Sequence, residues 1–157
     1  MENAYITAML DSLNDKIDIL NEIHLKDEEQ LKLINEGIIS DEAYDRLDDE
    51  KSVLIYKLNK LDDGFQLVYD KVKEELDRNR TKYSSEISLM KERITKITEL
   101  STKIQAEEAR NKAALENYFK GKHAEIKGSR SQVKAIRSYT QTMINGRSYN
   151  GFPTVKK

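Results

Sequence analysis

The chain has 157 residues, a net charge of -1 and no cysteine, which excludes disulfides, cysteine-ligated metal sites and a thiol nucleophile. No apolar run approaches the ~20 residues that a membrane span needs, and the aspartates among the first 20 residues predict no secretory signal. No proline occurs before Pro153, so the residue that most strongly interrupts helices is missing from almost the whole chain.

The first predicted helix covers about residues 3–36. His24 and Asp27 fill two places of its apolar stripe with polar groups. We interpret them as a polar layer that fixes the register of helix pairing, because the further His and Glu of a helical metal site are missing from the pattern. The apolar residues recur at steps of three and four, the heptad pattern of a packed helix: Ile6, Leu10, Leu13, Ile17, Leu20, Leu31, Ile34 and Ile38.

A short turn is predicted after this helix. Gly37 suits the left-handed conformation that ends many helices. Ser40, followed by Asp41 and Glu42, is typical of the start of the next helix. A link this short favours antiparallel neighbours.

The second helical segment is predicted over about residues 41–120. Its stripe passes through Gly64 in register, with Lys51 in one apolar place, and the spacing changes near residue 80. The sequence therefore leaves open a kink near Gly64 and a break near residue 80. Its apolar residues are Tyr44, Leu47, Leu54, Leu58, Leu61, Phe65, Val68 and Val72, and, after the change, Met90, Ile94, Ile97 and Ile104.

This segment also contains a run of alanines and several clustered acidic residues. Between residues 106 and 114 the stripe is expected to thin to alanines, which marks close packing or exposure. The acidic residues are interpreted as solvated faces without metal ligation, because the EF-hand spacing and its glycine are missing. These residues are Asp45, Asp48, Asp49, Glu50, Asp62 and Asp63.

Together these patterns predict an all-α protein, an elongated antiparallel helical hairpin or bundle with coiled-coil packing. Residues 1–120 form the bundle, 121–145 a basic amphipathic helical segment, and 146–157 an irregular tail. Whether a second copy of the chain covers part of the long second segment stays open.

Charge is divided between the two ends of the chain. Residues 120–157 contain nine basic residues and one acidic residue, a charge of +8, so the other 119 residues carry -9. The predicted partner-binding residues are an apolar stripe and two flanking cations: Val133, Ile136, Tyr139 and Met143, with Lys134 and Arg137. This pattern is compatible with two roles: the segment packs on the chain's own acidic hairpin, or it docks on a protein partner. Contact with nucleic acid or an anionic membrane is disfavoured, because the rest of the chain is acidic.

No catalytic motif or convergent set of nucleophile and base is present, so we expect no enzyme, no cofactor and no metal.

Several segments resemble flagellar type III export chaperones of the FlgN/FliT type. The resemblance rests on Glu28-Glu29-Gln30-Leu31, on Asp49-Glu50-Lys51 with its following leucines, and on Glu107-Glu108-Ala109-Arg110-Asn111. It implies a cytoplasmic protein that binds helical segments of a hook–filament junction subunit and prevents premature assembly. In that family the C-terminal helical region contacts the subunit, which corresponds here to Val133–Met143. The alternative is a structural coiled-coil protein for dimerisation or an adaptor.

Overall fold

The computed structural model describes residues 3–37 and 42–120, and this part of the chain folds into three long α-helices. They are α1 (Ala4–Asn35), α2 (Glu42–Arg78) and α3 (Ser84–Lys120). No strand occurs in these two ranges, and the predicted all-α bundle is confirmed. The predictions for Ile38, for Ser40 and Asp41, and for all residues from 121 onwards lie outside the described residues.

A side-chain cap sets the start of α1, and a left-handed glycine sets its end. The Asn3 carboxamide oxygen accepts hydrogen bonds from the backbone N–H groups of Tyr5 (2.9 Å) and Ile6 (3.3 Å), which satisfies two free donors of the first turn. At the other end Gly37 has a φ of 71°, and its N–H bonds the carbonyl of Ile34. The left-handed glycine predicted from the sequence therefore ends this helix.

A tight turn at residues 79–83 separates α2 from α3, whereas α2 runs unbroken through Gly64. Tyr83 is buried in this turn, and its hydroxyl donates a 2.7 Å hydrogen bond to the carboxylate of Glu75. The change of spacing near residue 80 thus corresponds to a reversal of the chain.

The helices run up, down and up, with α1 packed against both others. Residues near the start of α1 meet the later part of α2, as in the bond from the Ser12 hydroxyl to the Leu61 carbonyl (3.5 Å). By contrast, Arg93 of α3 donates to the carbonyl of Leu10 (3.1 Å) and Arg110 to Glu28, so α3 is parallel to α1. The backbones of α2 and α3 do not approach each other as closely as each approaches α1.

The buried line of α1 has regular heptad spacing but differs in part from the expected one. Met9 and Lys16 are fully buried, whereas Leu10 and Ile17 are only half-buried. Leu10 and Ile17 do pack against the core, as predicted, but because α1 contacts two helices its buried face also includes Met9 and Lys16. The buried residues are Ile6, Met9, Leu13, Lys16, Leu20, Ile23, Asp27, Gln30 and Ile34.

The apolar stripe of α3 thins after Ile104, as expected, and of the two interpretations of its alanines the structure supports exposure. Ala106, Ala109 and Ala113 point to solvent, and the inward positions are Glu107, Glu108 and, one turn later, a buried asparagine. The bundle is therefore polar inside at this level.

None of the described helices has an apolar stretch of the length and hydropathy required to cross a membrane.

Candidate functional site

A buried layer of polar side chains divides the interior of the bundle into two apolar clusters. The larger cluster extends from Ile6 to Ile104, and the smaller one consists of Ile34, Tyr44 and Leu115 near the Gly37 turn. We call the residues between them the ionic layer: Asp27, Gln30, Asp48, Lys51, Glu108 and Asn111.

Lys51 of α2 lies at the centre of the ionic layer and is 1% exposed. Its ammonium donates to the carboxylate of Glu108 at 2.6 Å, to the Gln30 amide oxygen at 2.8 Å and to the carboxylate of Asp27 at 3.0 Å. The Asp48 carboxylate lies 4.0 Å away. Since an ammonium has three donors, Lys51 is fully satisfied and joins all three helices.

Amides complete the ionic layer. The Gln30 side-chain N–H₂ donates to the Asp48 carboxylate at 2.7 Å, and the Asn111 N–H₂ donates to the backbone carbonyl of Asp27 at 2.8 Å. Each helix contributes at least one acceptor or donor that only the correct register brings into place. This is how buried polar residues at heptad positions select one alignment at a cost in stability.

The charges of the ionic layer are strongly perturbed. Burial, together with the neighbouring Glu108 carboxyl, raises the pKa of Asp27 to about 9. Burial alone would lower the pKa of Lys51, but the carboxylates of Glu108 and Asp27 outweigh it and raise that pKa. Burial therefore favours the neutral form of Asp27, whereas the carboxyl groups around Lys51 favour its charged form.

At the edge of the ionic layer, His24 of α1 meets Glu107 of α3. The imidazole Nδ1 lies 2.5 Å from Glu107 Oε2, while Glu107 Oε1 is buried and has no hydrogen-bond partner within residues 3–37 and 42–120. Glu28, one turn after His24, accepts from the Arg110 guanidinium at 3.2 Å. The sequence placed His24 in the polar layer, but the structure sets it beside the layer, with Ile23 as the inward residue at this turn of α1.

A second buried lysine occupies the larger cluster. Lys16 pairs with Asp62 of α2, whose side chain is 16% exposed. Burial lowers the pKa of Lys16 to about 8, although the Asp62 carboxylate partly opposes this shift. The expectation that Asp62 and Asp48 belong to solvated faces was wrong, because each compensates a cation or amide that the fold buries.

The outer face of α2 carries exposed apolar side chains. Val53, Tyr56 and Leu67 are 55%, 62% and 66% exposed, and their separations are close to whole turns. Lys60 belongs to the same line and holds its ammonium 5.4 Å from the centre of the Tyr56 ring. We call these four residues the outer α2 stripe. They lie on the face of α2 opposite its buried residues.

The predicted partner-binding residues, Val133, Lys134, Ile136, Arg137, Tyr139 and Met143, all lie outside the described residues. Within the described part, sequence reasoning found Asp27 and Lys51 but missed Lys16, Asp48 and Glu108. Lys16 has heptad spacing from Leu13 and Leu20, and Glu108 lies one turn after Ile104; this spacing was the signal that places both on a buried face.

Comparison with known proteins gives no match: no protein-family model, no curated protein and no solved structure is significantly similar to this chain.

Proposed function

We propose that this chain is a non-enzymatic cytoplasmic binding protein of the flagellar export chaperone type. It holds an amphipathic helix of a secreted hook–filament junction subunit and keeps that subunit from assembling early. The single observation that carries the binding role is the outer α2 stripe. The flagellar assignment is supported by the FlgN/FliT resemblance of the sequence.

The outer α2 stripe has the dimensions of a helix-binding surface. Residues 53–67 span about 21 Å at ~1.5 Å per residue, which is about four helical turns. Val53 and Tyr56 are spaced i, i+3, Lys60 follows four residues later, and Leu67 lies two turns further along the same face. An apolar face of this kind is one by which helices recognise helices. Exposed apolar area on one face gains about 25 cal/mol per Å² when a partner covers it.

Two segments are candidates for the contact, and the experiment must separate them. One is the outer α2 stripe, and the other is the C-terminal stripe Val133–Met143 to which the family resemblance points. We propose that a subunit helix engages both, with the α2 stripe as the rigid element.

Binding is measured with a labelled peptide that carries the terminal amphipathic helix of a hook–filament junction subunit, by fluorescence anisotropy. Tyr56→Glu and Leu67→Glu should each weaken binding at least about tenfold, as loss of a central apolar anchor does. Leu25→Glu is the matched control: it is 59% exposed on α1, outside the stripe, and should leave affinity unchanged. A chain ending at residue 128 tests the C-terminal contribution.

No binding by the wild-type chain, or equal affinity in Leu67→Glu and Leu25→Glu, would overturn the proposal. The alternative function, dimerisation through a coiled coil, rests on the same heptad-like spacing of the stripe. Light scattering decides between them: a wild-type dimer that Leu67→Glu converts to a monomer, with no peptide binding, would establish the alternative.

A further inference from the structure

Three potential metal ligands converge where α1 and α3 meet at the edge of the ionic layer. They are His24 and Glu28, one turn apart on α1, and Glu107 on α3. One ligand atom from each lies within 4.8 Å of the other two. The sequence predicted no metal here, because a helical metal site needs further Glu and His from other helices and the only other histidine is His123. The fold supplies one such carboxylate, Glu107.

The surroundings of Glu107 favour a cation. Its side chain is more than nine-tenths buried, and no donor of the described residues reaches Oε1. A buried carboxylate oxygen without a donor costs about 1–3 kcal/mol or more, so such atoms call for an ion, a water or a proton. The Glu28 carboxylate beside it increases the local negative charge, which Arg110 only partly neutralises from its exposed position.

We propose that His24, Glu28 and Glu107 bind one divalent first-row transition ion, for which Zn²⁺ is the natural probe. One imidazole nitrogen and two carboxylate oxygens form a borderline donor set that suits Zn²⁺ or Co²⁺ better than Mg²⁺ or Ca²⁺. Metal–ligand bonds of about 2.0–2.2 Å put tetrahedral ligand atoms about 3.4 Å apart, a separation that small rotations of these side chains reach.

Bound Zn²⁺ would neutralise the charge of the two glutamates and link α1 to α3 beside the ionic layer. Three protein ligands leave a fourth position for water. Arg110 then acts as a competitor, because its guanidinium holds the Glu28 carboxylate that the ion needs.

The test is a Zn²⁺ titration of the full-length, chelator-treated protein by isothermal calorimetry. The wild-type chain should bind one equivalent, and Glu107→Gln and His24→Gln should each weaken binding at least about tenfold. Arg110→Gln should tighten binding, an effect that a purely structural role for the cluster does not predict.

Matched controls are available in the chain. Glu29→Gln changes an exposed neighbour of Glu28, and His123→Gln changes the second of the two histidines; neither should alter affinity. Co²⁺ absorption should show the intense visible bands of a tetrahedral site in the wild type and lose them in Glu28→Gln, an exposed position that should fold normally.

The proposal fails if the wild-type chain takes up no Zn²⁺. It also fails if His24→Gln or, should that variant unfold, Glu28→Gln binds with wild-type affinity, or if His123→Gln alone abolishes binding.

Discussion

The bundle buries two lysines, and their surroundings differ. Lys51 lies among carboxylates and an amide from all three helices, and its pKa is raised. Lys16 lies in the apolar half, pairs with Asp62 near the surface, and has a pKa lowered to about 8. Equal burial thus produces opposite shifts, because a buried charge is stable only when the groups around it replace water.

The contrast separates two roles within one heptad framework. Around Lys16, apolar neighbours supply the stability, and the buried ammonium lowers it. Around Lys51, the charge is the part that holds the layer together, since removing it would leave two almost fully buried carboxyl groups facing each other. We expect the two regions to respond in opposite directions to loss of the lysine.

The largest effect should come from Lys51→Met. It leaves Asp27 and Glu108 buried without their cation and should lower the free energy of unfolding by about 3–5 kcal/mol, measured by urea denaturation. Lys51→Met/Glu108→Met replaces the pair by apolar groups and should recover more than half of that loss. Strictly additive costs in the double variant would contradict the assigned pairing.

The Lys16 region should show a pH dependence with a defined sign. The ammonium has a pKa of about 8 in the folded chain and an ordinary value of 10.5 in the unfolded chain. Between these values the unfolded chain binds more protons, so this group makes the protein more stable as pH rises. Below pH 8 both states are charged and the burial cost is present in full.

The measurement is the difference in unfolding free energy between the wild type and Lys16→Met from pH 7 to 10.5. The difference should move in favour of the wild type by about 3 kcal/mol at most across this window. Other groups titrate there too, but they are shared by both proteins. A difference that does not change with pH would show that Lys16 keeps an ordinary pKa.

Within the ionic layer, the loss of stability on neutralising a carboxylate should depend on its distance from the Lys51 ammonium. Glu108→Gln replaces the charged acceptor 2.6 Å from the Lys51 ammonium by a neutral one and should cost about 2 kcal/mol. Asp48→Asn changes a buried group that lies farther from the same ammonium, at 4.0 Å. Because Asn keeps an oxygen that can accept from Gln30, this change should cost less than about 1 kcal/mol. Denaturant midpoints of the two variants check this, and an equal cost would mean that Lys51 does not discriminate between them.

The sequence predicted those parts of the fold that depend on local chemistry. Helix type, the left-handed Gly37 and the polar places of Asp27 and Lys51 follow from spacing and backbone preference. The buried glutamates did not, because an isolated Glu is assigned to solvent by default, and only the third helix shows that Glu108 faces a lysine. Lys16 was hidden by its neighbour Ile17, which fits a two-helix stripe better.

The smallest effects should come from two glycines, and they should have opposite signs. Gly37 has a φ of 71°, so Gly37→Ala forces a left-handed alanine and should destabilise by about 1 kcal/mol. Gly64 lies inside α2, and no atom of the described residues lies within 4 Å of an added Cβ, so Gly64→Ala should stabilise by up to about 1 kcal/mol. Thermal unfolding of both variants checks this.

Gly64 also adjoins the outer α2 stripe, between Lys60 and Leu67. If a partner helix packs closely there, Gly64→Ala should stabilise the free protein but lower its affinity for the partner peptide. Gly37→Ala should lower stability without changing affinity for the folded chain. A Gly64→Ala variant that gains stability and binds the peptide as tightly as the wild type would place the contact away from the middle of the stripe, since a methyl group cannot be added to a close helix–helix contact without separating the two backbones.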